Sequence, residues 1–412
     1  MARSGYVDLN YVAGDKDLVA YFYVEPGKGL TFEQSCEQIA AESSIGTWTD
    51  VSTTKPGIME CLGPSVYEIN KETGMVKIAY PQDLFEQGNM PQIYSSIAGN
   101  IFGMKSVENL RLCDITFPKT IAKSFKGPKY GIDGIRRLLG VKDRPLVGTI
   151  IKPKLGLDCT DHARVAYDAW IGGCDIVKDD ENLTNQRFNS FGERVIKTLR
   201  MRDRSEKETG DKKIYMPNVS AESREMINRA EFVKENGGEY AMVDVVTAGF
   251  SGLQSLIDED LDLVIHAHRA MHAAFTRNKK HGISMLALAK SLRLVGVDQL
   301  HIGTASVGKM EGPAEEIIAI KDAMKEPCHN LKTVFPVCSG GLHPGMIPDL
   351  VKILGKDIII QMGGGIHGHP EGTISGAKAA RQALEATMKE ISLEEYAEEH
   401  QELKEALEHW PN

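Results

Sequence analysis

The spacing of hydrophobic and polar positions along the chain changes near residue 130. Before it, strand-like and helical periods are mixed. Asp17–Glu25 reads as a strand, Phe32–Glu42 as a helix, and Val66–Ile69 with Met75–Tyr80 as a hairpin turning at Glu72-Thr73-Gly74. Met90–Gly99 follows as a helix and Leu110–Phe117 as a further strand. This mixture predicts a small α+β domain over residues 1–128. Gly127-Pro128-Lys129-Tyr130-Gly131 supplies the turn chemistry of a boundary.

After the boundary, apolar runs alternate with helical stretches eight times. The runs are Leu146–Ile151, Cys174–Val177, Ile214–Val219, Ala241–Val246, Leu263–Ala267, Gln299–Ile302, Thr333–Val337 and Ile358–Met362. Helical periods such as His162–Ile171, Glu222–Glu235 and Ile283–Val295 separate them. Eight βα units over residues 129–412 make the α/β count of a (β/α)8 TIM barrel. A doubly wound open sheet has the same alternation, and the pattern alone does not decide closure. Leu393–His409 reads as an acidic helical tail.

The polar residues fall where those strands end. Lys152-Pro153-Lys154 follows the first, Lys178-Asp179-Asp180-Glu181 the second and Asn218 the third, while the fourth carries Asp244. His266-Ala267-His268-Arg269 and His301 mark the fifth and sixth, Ser339-Gly340-Gly341 the seventh and Gly363-Gly364-Gly365 the eighth. Barrel active sites are built at these C-terminal strand ends. One lysine or histidine there would be read as structural; eight strand ends in succession are read as a site.

Gly172 to Glu181 is the most pointed stretch. Side chains alternate along a strand, so Lys178 and Asp180 face one way and Glu181 follows at its end. Two carboxylates beside a lysine suit a hard divalent ion such as Mg²⁺, which takes oxygen ligands at about 2.0–2.1 Å. An ammonium cannot ligate a metal, but CO₂ added to a neutral Lys178 gives a carbamate with two oxygens. Elsewhere, the glycine turns after strands seven and eight allow N–H groups to approach phosphate. The forked donors of Arg269 suit a second phosphate. Lys152 and Lys154, two apart, are expected on one strand face, His268 and His301 as acid–base or phosphate groups, and His266 as their support. Gly308-Lys309-Met310-Glu311-Gly312 is expected to close a lysine over a ligand.

Composition excludes more than it adds. The 412 residues are 42% hydrophobic and 25% charged, with a net charge of −9 and no basic block, so no nucleic-acid partner is expected. No apolar run reaches the ~18 residues of a membrane span, and no membrane association is expected. Seven scattered cysteines without a Cys-x-x-Cys pair fit a reduced, cytoplasmic protein, with Cys174 and Cys338 read as packing residues.

Taken in order, these motifs resemble the large subunit of ribulose-1,5-bisphosphate carboxylase/oxygenase (Rubisco), most closely its archaeal form III branch. Glu42-Ser43-Ser44-Ile45-Gly46-Thr47-Trp48-Thr49, Gly99-Asn100-Ile101-Phe102-Gly103, Lys152-Pro153-Lys154 and Gly172-Gly173…Lys178-Asp179-Asp180-Glu181 carry the resemblance. It continues through His266-Ala267-His268-Arg269-Ala270-Met271-His272, Gly308-Lys309, Ser339-Gly340-Gly341 and Gly363-Gly364-Gly365.

The resemblance implies carboxylation of ribulose 1,5-bisphosphate, with O₂ competing, in a nucleotide-salvage setting. Lys178 would be carbamylated and hold Mg²⁺ with Asp180 and Glu181, and the carbamate would take the C3 proton. Lys152 and His268 would move later protons, Lys154 would support the metal-bound substrate oxygens, and Lys309 would orient CO₂. Arg269, His301 and Ser339 would hold one phosphate. Thr47, Trp48, Gly341, Gly363 and Gly364 would hold the other, with Gly340 and Gln361 also lining the substrate. Glu42 and Asn100 would reach a neighbouring subunit's barrel. A homodimer with shared sites is therefore implied, with decamers built from dimers as an open option and no small subunit expected.

Two positions depart from the plant-type pattern: eight steps rather than seven separate His301 from Lys309, and Ile150 replaces a threonine. Both bear on gas selectivity. A Rubisco-like enolase or isomerase of sulfur salvage is the competing enzyme, and a phosphate-binding scaffold the non-catalytic alternative. The presence of Lys152, Lys154, His268 and Lys309 favours the carboxylase.

Overall fold

The computed structural model describes residues 5–47, 49, 51–55, 57–309 and 313–411. Thirteen strands run in chain order among the described residues: β1 (Asp17–Pro26), β2 (Ser65–Asn70), β3 (Met75–Pro81), β4 (Val107–Thr116), β5 (Leu146–Ile150), β6 (Ile176–Lys178), β7 (Ile214–Met216), β8 (Tyr240–Asp244), β9 (Val264–His268), β10 (Gly282–Ile283), β11 (Gln299–His301), β12 (Phe335–Ser339) and β13 (Ile359–Gln361). They divide between two compact units. One comprises Met1–Lys126 with Met271–Val295, the other Gly127–Ala270 with Gly296–Asn412.

The first unit is a five-stranded sheet in the order β10-β4-β1-β3-β2. Its pairs are antiparallel except β10 with β4. The helix Phe32–Glu42 starts at a capping box in which Thr31 and Gln34 satisfy each other's backbone N–H groups. The expected helix from Met90 stops at Ile97, before Gly99. Tyr94 on that helix meets Ser291 Oγ at 2.9 Å, and so helps to bind Met285–Val295 into this unit. The segment expected to begin a barrel helix at Ile283 first forms β10, and its helix starts at Met285.

The second unit is the barrel. Its eight strands pair in parallel with their chain neighbours, and β13 returns to β5. Between β7 and β8 the closing contact is the parallel bridge Asn218–Met242. Followed around all eight strands, the registers return to β5 offset by eight residues, the stagger of a (β/α)8 barrel. The sheet is closed, and the open-sheet alternative falls.

Every second strand residue faces the barrel interior, and the interior is graded along the axis. Leu146, Ile176, Ile214, Tyr240, Val264, Phe335 and Ile359 form an apolar floor with Ile132, Ile135 and Leu139 of the helix Gly131–Leu139. Two residues further along, the same faces carry Lys178, His266, Gln299 and Gln361, all buried. Another step brings Asp180, Asn218, Asp244, His268, His301 and Ser339. The acidic tail is helical, as two helices, Leu393–Ala397 and Gln401–His409. Among the described residues no helix is long and apolar enough to cross a membrane.

Candidate active site

The second strand end sorts its charges by face. Asp179, pointing away from the barrel axis, is wholly buried. It accepts from Arg194 Nε at 3.0 Å, from the Tyr215 hydroxyl at 2.8 Å and from the Asn218 N–H at 3.0 Å, with His162 Nε2 3.1 Å away. Burial opposes its ionisation, but Arg194 and these donors prevail and hold the carboxyl well below its usual range. Arg194, Tyr215 and His162 carry no motif, so the sequence does not identify them as partners of Asp179.

Lys178 points inward and is buried. Its Nζ donates to the Asp179 carbonyl oxygen at 2.8 Å and lies 3.2 Å from Met242 Sδ. Burial lowers its pKa against the opposing pull of Glu181, Asp180, Asp244 and Asp179. The neutral amine, which alone can attack CO₂, is therefore favoured relative to a free lysine. Asp180 accepts from Lys152 Nζ at 2.7 Å and from Asn182 through N–H at 3.1 Å and Nδ2 at 3.0 Å. Burial raises its pKa, but Lys152 and Asn182 outweigh it and the net shift is downward. Glu181 stands 3.5 Å from Lys154 Nζ and 3.8 Å from His268 Nε2. Lys152 and Lys154 do not share a strand face, because β5 ends at Ile150 and both lie in the turn that follows. They meet the acid pair from that turn.

Among the described residues no three His, Cys, Asp or Glu side chains converge as a ready metal site. With Lys178 as a plain amine, Asp180 and Glu181 offer two carboxylates. A carbamate on Lys178 would complete an all-oxygen set, and hard oxygen donors fit Mg²⁺. The donor chemistry therefore fits the implied metal.

On the opposite wall, His268 Nδ1 pairs with Asp244 Oδ1 at 2.8 Å. Asp244 Oδ2 takes Asn218 Nδ2 at 3.2 Å and Ser220 Oγ at 3.3 Å. Asp244 is marked by its strand end, but the sequence gives it no role. His301 has both ring nitrogens engaged, Nε2 by His266 at 2.9 Å and Nδ1 by Ser339 Oγ at 2.9 Å. His266 is thus the support the sequence predicts. Arg269 follows β9, and burial of its guanidinium lowers its pKa to about 10 against Glu316 and Cys338.

The glycine turns are tight for stated reasons. Gly341 has φ +68°, and a β-carbon there would stand 2.2 Å from Lys309 Cβ. The Lys309 N–H donates to the Gly340 carbonyl at 3.0 Å. A β-carbon on Gly363 would stand 2.9 Å from Lys152 Cε, and Gly364 begins the short helix Gly364–His367. Gln361 lies a layer below the strand-end residues, wholly buried, with Oε1 unpartnered. In the other unit, Asn100 Nδ2 donates to Glu42 Oε1 at 3.4 Å, so these two expected site residues are together. Thr47 is exposed. Trp48, and Met310 to Gly312 of the closing loop, lie outside the described residues.

A cavity of about 480 Å³ lies at the other end of the strands, lined by Arg144, Asp175, Arg381 and Glu385 among others, and holds none of the site residues. Its charges answer one another: Arg144 grips Asp175 through two bonds of 2.7 Å. It is read as structural.

Comparison with known proteins gives the chain's family. Residues 131–410 match the family model for the ribulose bisphosphate carboxylase large chain, catalytic domain, and residues 5–121 that for its N-terminal domain. The ribulose bisphosphate carboxylase of Methanocaldococcus jannaschii is 54% identical, over 98% of this chain and 99% of the relative. The octameric Rubisco of Pyrococcus horikoshii superposes with a TM-score of 0.94 at 49% identity, over 98% of this chain and 96% of that one. The dimeric archaeal Rubisco of Hyperthermus butylicus gives 0.92 at 46% identity, over 98% of both.

Proposed function

The chain belongs to the ribulose bisphosphate carboxylase large-chain family, and from that premise we propose that it adds CO₂ to ribulose 1,5-bisphosphate and cleaves the product to two 3-phosphoglycerates, with oxygenation competing. The observation that carries the reading is the convergence of Lys152, Lys154, Lys178, Asp180, Glu181 and His268 at one end of the barrel. The Rubisco-like enolase is not favoured, because it would not require the full set of Lys152, Lys154, His268 and Lys309.

Lys178, as its carbamate, Asp180 and Glu181 would hold Mg²⁺. When bound, the ion supplies Lewis-acid stabilisation of negative charge on substrate oxygens. Lys152 carries a proton at Nζ, 2.7 Å from Asp180, and is placed to deliver it to the carbon left electron-rich after cleavage. Lys154 neutralises oxygens on the Glu181 side. Because Asp244 holds His268 at Nδ1, the ring turns Nε2 toward the Glu181 side, where it would meet a substrate hydroxyl and move its proton. Lys309 orients CO₂ and stabilises the carboxylate that forms. Arg269 anchors one phosphate, with His301 and Ser339 beside it. Thr47, Trp48, Gly341, Gly363 and Gly364 would hold the other, with Gly340 lining the substrate and Gln361 supporting it from the layer below. Glu42 and Asn100 act as a pair completing a neighbouring subunit's site, so the minimal active unit is a homodimer. The relatives' dimer and octamer support an assembly with an even number of chains.

Ribulose 1,5-bisphosphate supplied with Mg²⁺ and ¹⁴C-bicarbonate tests the reading. Labelled 3-phosphoglycerate is expected; an unlabelled five-carbon isomer as the sole product would overturn it.

A further inference from the structure

Five polar side chains form one hydrogen-bonded file through the barrel interior. Gln299 Nε2 meets the Tyr240 hydroxyl at 3.3 Å, and Gln299 Oε1 meets His266 Nδ1 at 2.8 Å. His266 Nε2 then meets His301 Nε2 at 2.9 Å, and His301 Nδ1 meets Ser339 Oγ at 2.9 Å. Tyr240, Gln299 and His266 are wholly buried and His301 nearly so, so water cannot substitute for a missing partner. Burial holds both rings neutral, with His266 pushed down to about 3 and His301 well below its ordinary value. A neutral imidazole has one N–H and one lone pair. Direct contact between two ring nitrogens therefore needs one of each, and the file can carry its protons in only one sense at a time.

The Gln299 amide selects the sense. With its oxygen on His266, the proton sits on His266 Nδ1, and His266 Nε2 is an acceptor. His301 must then donate from Nε2, which leaves His301 Nδ1 to accept the Ser339 proton. Ser339 Oγ is left with lone pairs alone to offer the pocket. If the amide were reversed, every proton would move one place. His301 Nδ1 would donate to Ser339, and the serine hydrogen would be released toward the substrate.

We propose that Gln299 is a positioning residue which, through His266 and His301, fixes Ser339 Oγ as a hydrogen-bond acceptor for a substrate hydroxyl. Gln299 touches no substrate itself. The proposal rests on the carboxylase reading for the substrate, but the proton order exists without turnover. A phosphate dianion needs donors, so this Ser339 serves a hydroxyl of the sugar chain, and the phosphate beside it is left to Arg269.

Two measurements test this. Neutron diffraction of the deuterated wild-type protein should place deuterons on His266 Nδ1 and His301 Nε2, with the Ser339 deuteron directed at His301; the opposite order on both rings overturns the proposal. Kinetics supply the second. Gln299→Met removes donor and acceptor at similar volume and should raise KM for ribulose bisphosphate about three- to tenfold, as for one neutral hydrogen bond, with a smaller change in kcat. In a Ser339→Ala background the same substitution should add nothing. Full additivity of the two losses would mean that Gln299 acts by packing, and would also overturn it. Wild-type protein that makes no 3-phosphoglycerate yet shows the expected deuterons would fail the functional reading alone.

Discussion

Asp179 and Asp180 are adjacent in the chain, both buried and both ionised, yet they occupy opposite kinds of surroundings. Asp179 is met by a guanidinium, a phenol and a backbone N–H, with nothing left to offer a ligand. Asp180, with Glu181 beside it, is balanced by two lysines whose side chains are 27% and 57% exposed. Such lysines can be displaced when another cation takes their place beside the carboxylates, because their own ammonium groups are already partly hydrated. One carboxylate holds the strand end in place; the other two stay available. Alternation carried one step past β6 separates them: the Asp179 N–H still bonds the Met216 carbonyl at 3.1 Å, so neighbouring residues face opposite sides of the barrel wall.

The sharpest way to break this contrast is through function. Lys178→Ala removes the group that would complete the inner acid set, and carboxylation should fall by ~10³-fold or more while the circular dichroism spectrum is kept. Preincubation with CO₂ and Mg²⁺ should activate the wild type and leave the variant unchanged. Equal activation of both would remove Lys178 from the site. The next effect is on stability. Arg194→Met strands Asp179 as an unpaired buried charge, which costs about 3–5 kcal/mol. Asp180→Asn should change the urea midpoint far less, since its partners are partly hydrated. Equal losses in the two variants would erase the distinction.

The smallest effect concerns pH and two histidines, His266 inside the barrel and His367, whose Nε2 meets Thr149 Oγ1 at 2.9 Å. Burial pushes His266 down to about 3 and His367 to about 4, while an unfolded histidine titrates near 6.5. Between those values the unfolded chain binds protons that the folded one refuses. Stability is therefore complete above about pH 6.5 and is lost as pH falls, by about 1.4 kcal/mol per pH unit for each histidine. Unfolding free energies from pH 8 to 5 measure the slope, and His367→Gln should reduce it by one histidine's share.

The barrel was legible because parallel strands buried on both faces are written as continuous apolar runs, and Phe32–Glu42 because its first turn carries its own cap. Polar residues at eight strand ends marked the site in the same way. Strand limits were less legible: β6 begins at Ile176 rather than Cys174, and the fourth strand gives way at Asp244 to the helix Val245–Asp258 rather than running to Val246. Apolar character does not distinguish the last strand residue from the first helical one. Asp244 was visible as a polar residue, but its service to His268 depends on a register between β8 and β9 that spacing cannot give. Arg194 was invisible for a related reason, since its bond to Asp179 joins the helix Phe191–Thr209 to a strand end. The place of Gly282–Ile283 in the first unit's sheet could not be read from two residues.

That last feature gives synthesis an order. The β4 edge that receives β10 is complete once residue 116 has been made, yet its partner at residue 282 comes well over a hundred residues later. At the usual rate of about 5–20 residues per second, the wait is roughly ten to thirty seconds. For that interval the nascent chain carries an unpaired strand edge, the kind of surface that pairs with other chains. The ribosome must therefore make all of the first five barrel strands before the amino-terminal sheet can close its own border.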